Sequence, residues 1–382
     1  MPLDPSVLED LLSHVRRFVD ERLRPLEAEV AEKDEIPPAI LDEMGALGLF
    51  GLSIPEAYGG LGLSMAEECR LILEFGRTSP AFRSAFGTNV GIGSQALIRC
   101  GTEPQKQAWL PQIATGELVT AFALTEPGAG SDAAAVQSRA TWDGQYYRLS
   151  GQKIFITNAD RAGLFTVVAR TDATRPGAAG VSVFLVPRDS AGLTVGRPEK
   201  KMGQHGTHVC PVFFDDVAVP SENRLGAEGE GFRIAMDVLT RGRIHIAALC
   251  CGTAERLIED SLIYARDRRQ FGRPIAEFQL IQALIADSVA ESLAAHALVL
   301  EAAARFDTHV AEPALVSSAK YFASEMVGRV ADRAVQIHGG AGYIADHGIE
   351  RFYRDVRLFR IYEGTSQIQQ LIIARDRLSR FP

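Results

Sequence analysis

The sequence predicts an α+β protein built from three consecutive zones, the first helical, the second rich in strands and the third helical. Apolar residues recur at helical spacing in the first zone, and short β-branched and aromatic runs fill the second. The third zone consists of long helical patterns with short connections. We therefore expect an N-terminal helical domain over residues 1–117, a middle antiparallel β-domain over 118–225 and a C-terminal four-helix bundle over 226–382.

The first zone opens with a clear helix start. Asp4 and Pro5 suit the N-cap and the first helical position. Apolar residues follow at Leu8, Leu11, Leu12, Val15, Phe18, Val19 and Leu23. Further helices are predicted over Pro38–Leu47, Met65–Phe75 and Pro104–Ile113.

The second zone has the texture of a sheet. Predicted strands are Thr120–Leu124, Tyr146–Leu149, Lys153–Thr157, Leu164–Ala169, Gly180–Val186 and Val209–Phe214. Turn residues such as Asp143-Gly144 separate them at short intervals. This spacing favours an antiparallel sandwich or barrel over alternating βαβ units.

The third zone reads as a bundle. Long helices are predicted over Gly231–Tyr264, Phe278–Phe306, Pro313–His338 and Thr365–Leu378. Short connections between long helices favour antiparallel neighbours around one core.

Composition narrows the functional classes. The 382 residues carry a net charge of -8, which disfavours non-specific binding to nucleic acid. Five cysteines form no CxxC pair, so we expect free thiols in a reducing, cytoplasmic setting and no metal site. No uninterrupted apolar run reaches the length of a bilayer, so we also expect no membrane span.

Glycine patterns exclude a nicotinamide-binding domain. The loose GxGxxA fingerprint occurs at Gly91–Ala96, Gly128–Ala133 and Gly340–Ala345. Only the second follows a predicted strand, and none opens a βαβ unit. A nicotinamide-binding Rossmann domain is therefore rejected.

Two segments of the β-zone have the chemistry of a ligand site. In Ala121–Asp132 (AFALTEPGAGSD) a strand ends in a Pro-Gly turn, and Thr125 and Ser131 offer hydroxyls beside freed backbone N–H groups. In Lys153–Ala159 (KIFITNA) an aromatic and a hydroxyl share one strand face, at Phe155 and Thr157. Either segment by itself also fits an ordinary hairpin loop or half-buried strand.

Two helix ends are similarly ambiguous. Arg268 and Phe271 lie on one face at the end of a long helix, where a cation is also favourable against the helix dipole. The stretch Gln336–Tyr343 (QIHGGAGY) ends another helix in small residues, which are common C-caps. His338 is interpreted there as a helix-end hydrogen bonder.

Glu363 is the candidate base. It precedes a Gly-Thr-Ser turn that starts the last helix, in the segment Ile361–Gln369 (IYEGTSQIQ). Burial would raise its pKa and make it a stronger proton acceptor. A capping acid near a helix N-terminus explains the residue equally well.

Together these segments resemble the acyl-CoA dehydrogenase family. TEPGAGSD, RRQFG, QIHGGAGY and YEGTSQIQ occur in the family's order and spacing, and the resemblance covers nearly the whole chain. It implies the acyl-CoA dehydrogenase fold, non-covalent FAD, and a homotetramer arranged as a dimer of dimers. It also implies that electrons pass to electron-transfer flavoprotein.

The resemblance assigns roles to individual residues. It implies that the flavin ring is held by Phe122, Leu124, Thr125, Ser131, Phe155 and Thr157. Positions that reach the FAD pyrophosphate and adenosine across a subunit interface match Arg268, Phe271, Gln336, Gly339 and Gly340, with Thr365 and Gln367 as further contacts. Substrate contacts match Ser131, Arg243, Tyr362 and Gly364.

The implied reaction is α,β-dehydrogenation of an acyl-CoA to a trans-2-enoyl-CoA. Glu363 takes the α-proton, and the β-hydride goes to the flavin. Some family members carry the base one residue before the position of Arg243, but this chain has Gly242 there. Glu363 therefore has no competitor visible in the sequence.

The substrate is left open between short- or medium-chain acyl groups and dicarboxylyl groups. Phe82-Arg83-Ser84-Ala85 resembles the segment in glutaryl-CoA dehydrogenases whose arginine binds the distal carboxylate, although Gly87 stands where those enzymes have serine. Arg83 also fits a solvated residue at a helix end. The alternatives are an oxygen-using oxidase or flavin monooxygenase on the same scaffold, and a catalytically silent flavoprotein, against which the intact YEGTSQ segment argues. No role for His245 follows from the sequence.

Overall fold

The computed structural model describes residues 3–308 and 312–381 of the chain. The helices of the first zone are α1 (Pro5–Phe18), α2 (Glu27–Lys33), α3 (Pro38–Ala46), α4 (Met65–Gly76), α5 (Pro80–Val90), α6 (Gln95–Cys100) and α7 (Glu103–Thr115). The Asp4 carboxylate accepts a hydrogen bond from the Ser6 backbone N–H, which confirms the predicted N-cap. Helix α4 begins at a capping box between Ser64 and Glu67.

The second zone is one sheet. Its strands are β1 (Thr120–Ala123), β2 (Arg139–Trp142), β3 (Tyr146–Thr157), β4 (Leu164–Arg170), β5 (Val181–Pro187), β6 (Leu193–Val195), β7 (Val209–Pro220) and β8 (Arg224–Leu225). The strand order is β6-β7-β3-β2-β4-β5-β8, and β1 pairs with β4.

Pairing in this sheet is antiparallel except around β4. Strand β4 is parallel to β1 and, at one residue pair, to β2. Strand β1 comes directly from α7 and reaches β4 only after two intervening strands, so no hairpin sets its direction. The predicted strands Tyr146–Leu149 and Lys153–Thr157 are one strand, β3, which is interrupted by bulges.

The third zone consists mainly of long helices. Its elements are α8 (Gly231–Asp267), the short strands β9 (Arg269–Gln270) and β10 (Arg273–Pro274), α9 (Gln279–Asp307), α10 (Pro313–His338), α11 (Gly340–Tyr343), α12 (Ile349–Val356) and α13 (Ser366–Arg380). The α+β fold class and its three-zone order are thereby confirmed.

The two helical zones share one apolar core. Leu12 of α1, Ile72 of α4, Leu249 of α8 and Val327 of α10 belong to the same buried cluster. The sheet has a separate core on one face, which includes Phe165. Helix α8, which belongs to the third zone, therefore also packs against helices of the first zone. Its side chains can contact residues of both zones.

Helix α9 meets the length and composition of a membrane-crossing helix, with 22% of its most apolar window buried. Asp287 and Glu291 interrupt that apolar run. Leu280 and Leu293 are exposed on this helix in the single chain. All five cysteines are free, and Cys69, Cys210, Cys250 and Cys251 are buried, in agreement with the expectation of free thiols.

Candidate active site

Glu363 lies in the tight turn between α12 and α13. Its φ is 56°, and the following Gly364 has a φ of 87°. A left-handed conformation is unfavourable for glutamate and persists only where surrounding contacts enforce it. Thr365 provides the N-cap of α13 by accepting a hydrogen bond from the Ile368 N–H at 3.3 Å. The cap therefore belongs to Thr365, and the side chain of Glu363 is available for another role.

Three buried side chains hold this turn through its carbonyl groups. Arg243 Nε donates to the Glu363 carbonyl at 3.1 Å. Lys320 Nζ donates to the Gly364 carbonyl at 2.8 Å, and Gln369 Nε2 donates to the same oxygen at 2.9 Å. These bonds come from α8, α10 and α13, so three helices fix the turn from different directions.

The Oε2 atom of Glu363 is buried, although the residue as a whole is partly exposed. Its Oε2 has no hydrogen-bond partner within residues 3–308 and 312–381. Burial raises the pKa of Glu363 to about 7, against the opposing charges of Arg83, Arg243 and Lys320. An unpartnered carboxyl group poised near neutral pH suits a general base.

Gly242 makes room for this carboxylate. A Cβ built at Gly242 would lie 2.6 Å from Glu363 Oε2 and 2.7 Å from Oε1. A side chain at residue 242 on α8 would therefore occupy the space that the Glu363 carboxylate fills. Only the bare backbone of a glycine leaves space for the base in its observed position.

The two predicted flavin segments of the sheet are brought together. The Ile154 backbone N–H donates to the Thr125 carbonyl at 2.9 Å. Lys153 Nζ donates to the Leu124 carbonyl at 3.0 Å. A bulge in β3 gives Phe155 a φ of 58° and leaves its ring 61% exposed, next to this junction.

The ion pair between Lys153 and Glu126 anchors the loop after β1. The two side chains are buried, with Lys153 Nζ 2.7 Å from Glu126 Oε1. Glu126 also accepts from the backbone N–H groups of Gln137 and Ser138, at 2.6 and 2.9 Å. Burial lowers the pKa of Lys153 to about 8 although Glu126 opposes the shift. Burial acts to raise the pKa of Glu126. The charge of Lys153 and the N–H donors outweigh this effect and hold the pKa of Glu126 below its usual value.

The remaining flavin candidates of the sheet differ in exposure. Phe122 and Leu124 are buried, Thr125 and Thr157 are partly exposed, and Ser131 is exposed on the loop after β1. Among the described residues, no atom outside the immediate chain neighbours lies within 4 Å of a Cβ built at Gly128 or Gly130. The loop is thus an open backbone surface beside partly exposed hydroxyls.

A second group of predicted cofactor residues gathers at the far end of the bundle. The rings of Tyr264 and His338 stack at 4.2 Å and join the end of α8 to the end of α10. His338 Nδ1 lies 2.8 Å from the Ala334 carbonyl, so this residue is a helix-end hydrogen bonder as predicted. Exposed candidates at this end are Arg268, Phe271, Gln336, Gly339 and Gly340.

The second group is distant from the candidate base along α8. Arg243 lies beside Glu363, whereas Arg268 follows 25 residues later along the same helix. At 1.5 Å per residue this is about 38 Å along the helix axis. The second group therefore lies far from Glu363 within one chain.

Arg83 is buried on α5, with 8% of its surface exposed, so the alternative of a solvated helix-end residue is wrong. One of its terminal nitrogens lies 2.7 Å from His245 Nδ1, and its Nε has no hydrogen-bond partner in the described part of the chain. A Cβ built at Gly87 would lie 2.9 Å from Arg83 Nη1. The glycine that departs from the glutaryl-CoA dehydrogenase pattern therefore makes room for the guanidinium in this position.

Three further predicted substrate residues, Tyr362, Gly364 and Arg243, adjoin the base. The ring of Tyr362 stacks on Phe359 at 6.0 Å, and its hydroxyl is buried without a partner among the described residues. Burial raises the pKa of Tyr362 above its ordinary value. Gly364 is partly exposed, and Arg243 is buried beside the turn. Gln367 lies exposed in the first turn of α13.

Sequence reasoning missed several residues of this region. They are Glu68, Lys320, Gln369, Lys153 and Glu126. A lysine among small apolar residues of a bundle helix was a usable signal for Lys320. The four-residue spacing of Arg241 and His245 places both on one face of α8, but nothing local pointed to Glu68 as their partner.

Three family models match the chain in succession. They describe the N-terminal domain of acyl-CoA dehydrogenase over residues 7–117, its middle domain over 121–217 and its C-terminal domain over 229–378. The chain belongs to the acyl-CoA dehydrogenase family. It is therefore an oxidoreductase, and FAD is the cofactor of its family.

Curated relatives extend over almost the whole of this acyl-CoA dehydrogenase. It is 40% identical to "Probable acyl-CoA dehydrogenase YngJ" of Bacillus subtilis, over 95% of this chain and 96% of the relative. It is 41% identical to "Caffeyl-CoA reductase-Etf complex subunit CarC" of Acetobacterium woodii, over 91% of both chains.

Solved structures have the same fold. A glutaryl-coenzyme A dehydrogenase in complex with glutaryl-CoA is 34% identical with a TM-score of 0.95, over 99% of this chain and 96% of the other. The structure described as "PigA with FAD and proline" is 28% identical with a TM-score of 0.95, over the full length of both chains.

The residues of this dehydrogenase fit FAD. The flavin candidates combine the exposed ring of Phe155 with open backbone at Gly128 and Gly130. At the far end of the bundle Phe271 is 93% exposed. A Cβ built at Gly339 or Gly340 would meet no atom within 4 Å in the described part of the chain, apart from its immediate neighbours. Exposed aromatic rings beside bare backbone are suited to a flat heteroaromatic group and a pyrophosphate.

Proposed function

We propose that this enzyme removes hydrogen from the α- and β-carbons of an acyl-CoA thioester, with Glu363 as the base that takes the α-proton. The observation that carries this proposal is the buried Oε2 of Glu363, which has no partner among the described residues, in a turn held by three helices. The product is the trans-2-enoyl-CoA.

Polarisation of the thioester carbonyl is assigned to the same turn. The Glu363 backbone N–H makes no hydrogen bond within the described ranges, and the left-handed conformation of the residue keeps it clear of α13. A fixed donor at this point would stabilise the negative charge that develops on the carbonyl oxygen. Arg243 and Lys320 keep the donor in place by binding the neighbouring carbonyl groups.

The chemistry supplied by bound FAD is acceptance of the hydride that leaves the β-carbon. We assign its ring to Phe122, Leu124, Thr125, Ser131, Phe155 and Thr157. The partner subunit's flavin is assigned to Arg268, Phe271, Gln336, Gly339 and Gly340, and Thr365 and Gln367 are assigned as further contacts. The Thr365 hydroxyl accepts from Ile368 and retains its own proton to donate.

Assembly and electron transfer follow from the same assignment. We propose electron-transfer flavoprotein as the acceptor, since the Acetobacterium relative is named as part of an Etf complex. We propose a homotetramer arranged as a dimer of dimers. The exposed Leu280 and Leu293 on α9 are apolar surface that such an assembly would cover.

We propose that the acyl group carries a distal carboxylate. Arg83 is buried, takes part in no ion pair among the described residues and has an unpartnered Nε. Its positive charge acts to lower the pKa values of Glu363 and Tyr362, against the effect of burial on both groups. A buried guanidinium without a carboxylate partner disfavours a plain alkyl chain and favours an anionic one.

Titration under anaerobic conditions with a panel of acyl-CoAs tests the reaction. A dehydrogenase loses its yellow colour on addition of substrate and then reduces electron-transfer flavoprotein. An oxidase is bleached but recovers rapidly in air. A silent flavoprotein is bleached by none of the thioesters, and that result would exclude the proposed activity.

Arg83→Ala tests the substrate class. With the wild-type enzyme we expect glutaryl- or adipyl-CoA to outperform butyryl-CoA in kcat/KM. The variant should lose this preference by about tenfold or more, because a charge-assisted hydrogen bond contributes roughly 1.5–3 kcal/mol. Equal preference in both proteins would contradict the assignment of Arg83.

The pH dependence of flavin reduction tests the raised pKa of Glu363. The carboxylate is the active form, so activity is present above the pKa and lost as the pH falls through about 7. We expect kcat/KM to fall about tenfold per pH unit below that point. The control variant Glu32→Gln, which changes an exposed glutamate, should show the same pH dependence as the wild type. A flat wild-type profile through neutral pH would show that another group is the base.

A further inference from the structure

We propose that His245 is a positioning residue that holds Arg83 ready for the distal carboxylate of the substrate without neutralising its charge. This inference rests on the proposed function and adds a residue that sets substrate preference. Glu68 is hydrogen-bonded to the other ring nitrogen of His245.

The geometry is a continuous buried chain. Arg83 Nη2 lies 2.7 Å from His245 Nδ1, and His245 Nε2 lies 2.7 Å from Glu68 Oε2. The other oxygen of Glu68 accepts a hydrogen bond from Arg241. His245 and Glu68 are 1% and 0% exposed. The three contacts join α4, α5 and α8.

The chemistry of the partners determines the tautomer of His245. A guanidinium can only donate, so Nδ1 must accept from Arg83. The proton then sits on Nε2 and is donated to the Glu68 carboxylate. Burial lowers the pKa of His245 to about 4, with the charges of Arg83 and Arg241 acting in the same direction and Glu68 opposing. The ring is therefore neutral at physiological pH.

The buried cluster around His245 contains one more positive group than negative groups. The cluster holds two guanidinium groups, Arg83 and Arg241, and one carboxylate, Glu68. Arg241 pairs directly with Glu68, whereas Arg83 is separated from it by the neutral imidazole ring. Among these three hydrogen-bonded charged groups, the excess positive charge therefore resides at Arg83.

His245 orients the guanidinium group of Arg83 without neutralising its positive charge. A carboxylate bound directly to Arg83 would orient it but would also compete with an anionic substrate. A neutral ring orients the guanidinium with one hydrogen bond and leaves its Nε free. The neutral acceptor thus preserves the affinity of Arg83 for an acyl carboxylate.

A matched pair of substitutions separates the two contacts of the ring. In His245→Asn, the side-chain oxygen can occupy the position of Nδ1 and accept from Arg83, while the contact to Glu68 is lost. In His245→Gln, the amide reaches the position of Nε2 and can donate to Glu68, while the acceptor for Arg83 is lost. Thr253→Val, which removes a buried hydroxyl on the same helix, is the control.

The readout is kcat/KM for glutaryl-CoA divided by kcat/KM for butyryl-CoA in the FAD-loaded enzyme. We expect His245→Gln to lower this ratio about tenfold or more, mainly through KM for glutaryl-CoA, and His245→Asn to stay within about threefold of wild type. Thr253→Val should leave the ratio unchanged. If His245→Gln fails to retain FAD, His245→Met, which also lacks a strong acceptor, must show the same loss.

The outcomes distinguish this inference from the proposed function. A wild-type enzyme that no acyl-CoA bleaches overturns the function and the inference with it. A ratio unchanged by Arg83→Ala overturns the substrate class. If Arg83→Ala lowers the ratio but His245→Gln does not, or if His245→Asn lowers it equally, only the role of His245 is refuted.

Discussion

Replacement of Glu363 by glutamine is expected to slow substrate-induced flavin reduction by roughly 10²–10⁴-fold, the usual contribution of a general base. The amide keeps the size of the side chain but cannot take a proton. FAD should remain bound, because the turn is held through its carbonyl groups by Arg243, Lys320 and Gln369. The rate is measured from the flavin absorbance after anaerobic mixing with an acyl-CoA.

A matched control accompanies this variant. Glu32→Gln makes the same chemical change at an exposed glutamate on α2 and should reduce its flavin at the wild-type rate. If Glu363→Gln were also reduced at that rate, proton abstraction would have to be assigned to another residue. Gly242 could not serve, since it has no side chain.

Lys153→Met is expected to destabilise the protein by about 3–5 kcal/mol, the usual cost of removing one partner of a buried ion pair. Methionine fills much of the volume but leaves the Glu126 carboxylate buried without its cation. The contact between Lys153 and the Leu124 carbonyl, which ties β3 to the end of β1, is also lost. Thermal unfolding of the FAD-saturated enzyme should show a clearly lower midpoint.

Two further variants test the reason for this loss. Lys33→Met removes an exposed pair with Glu29 and should leave the unfolding midpoint close to that of the wild type. The double variant Lys153→Met with Glu126→Gln should be less destabilised than the sum of its single changes, because no unpaired charge remains. Strict additivity would mean that the ion pair does not account for the effect.

The sequence was most informative where a pattern is long and local. Helix α10 has the predicted bounds Pro313–His338, and α8 begins at the predicted Gly231. Helical periodicity over several turns defines such elements without distant contacts. Strands were predicted less well, since the bulges in β3 depend on its pairing with β7.

The site was harder to predict because burial is a property of the whole fold. The residues around Glu363 were compatible with a helix-capping acid, and only the cap at Thr365 and the buried Oε2 removed that alternative. Arg83 fitted a solvated helix end equally well until α8 was seen to pack over it through His245.

The sequence by itself determined the three-zone α+β order, the family resemblance and the candidate residues of the flavin and the base. The tertiary structure alone decided which of these residues are buried together. Glu68 and His245 are 177 residues apart in the chain and yet share a hydrogen bond. Such contacts carry no local signal, because charge pairing and desolvation arise only when distant helices pack against each other.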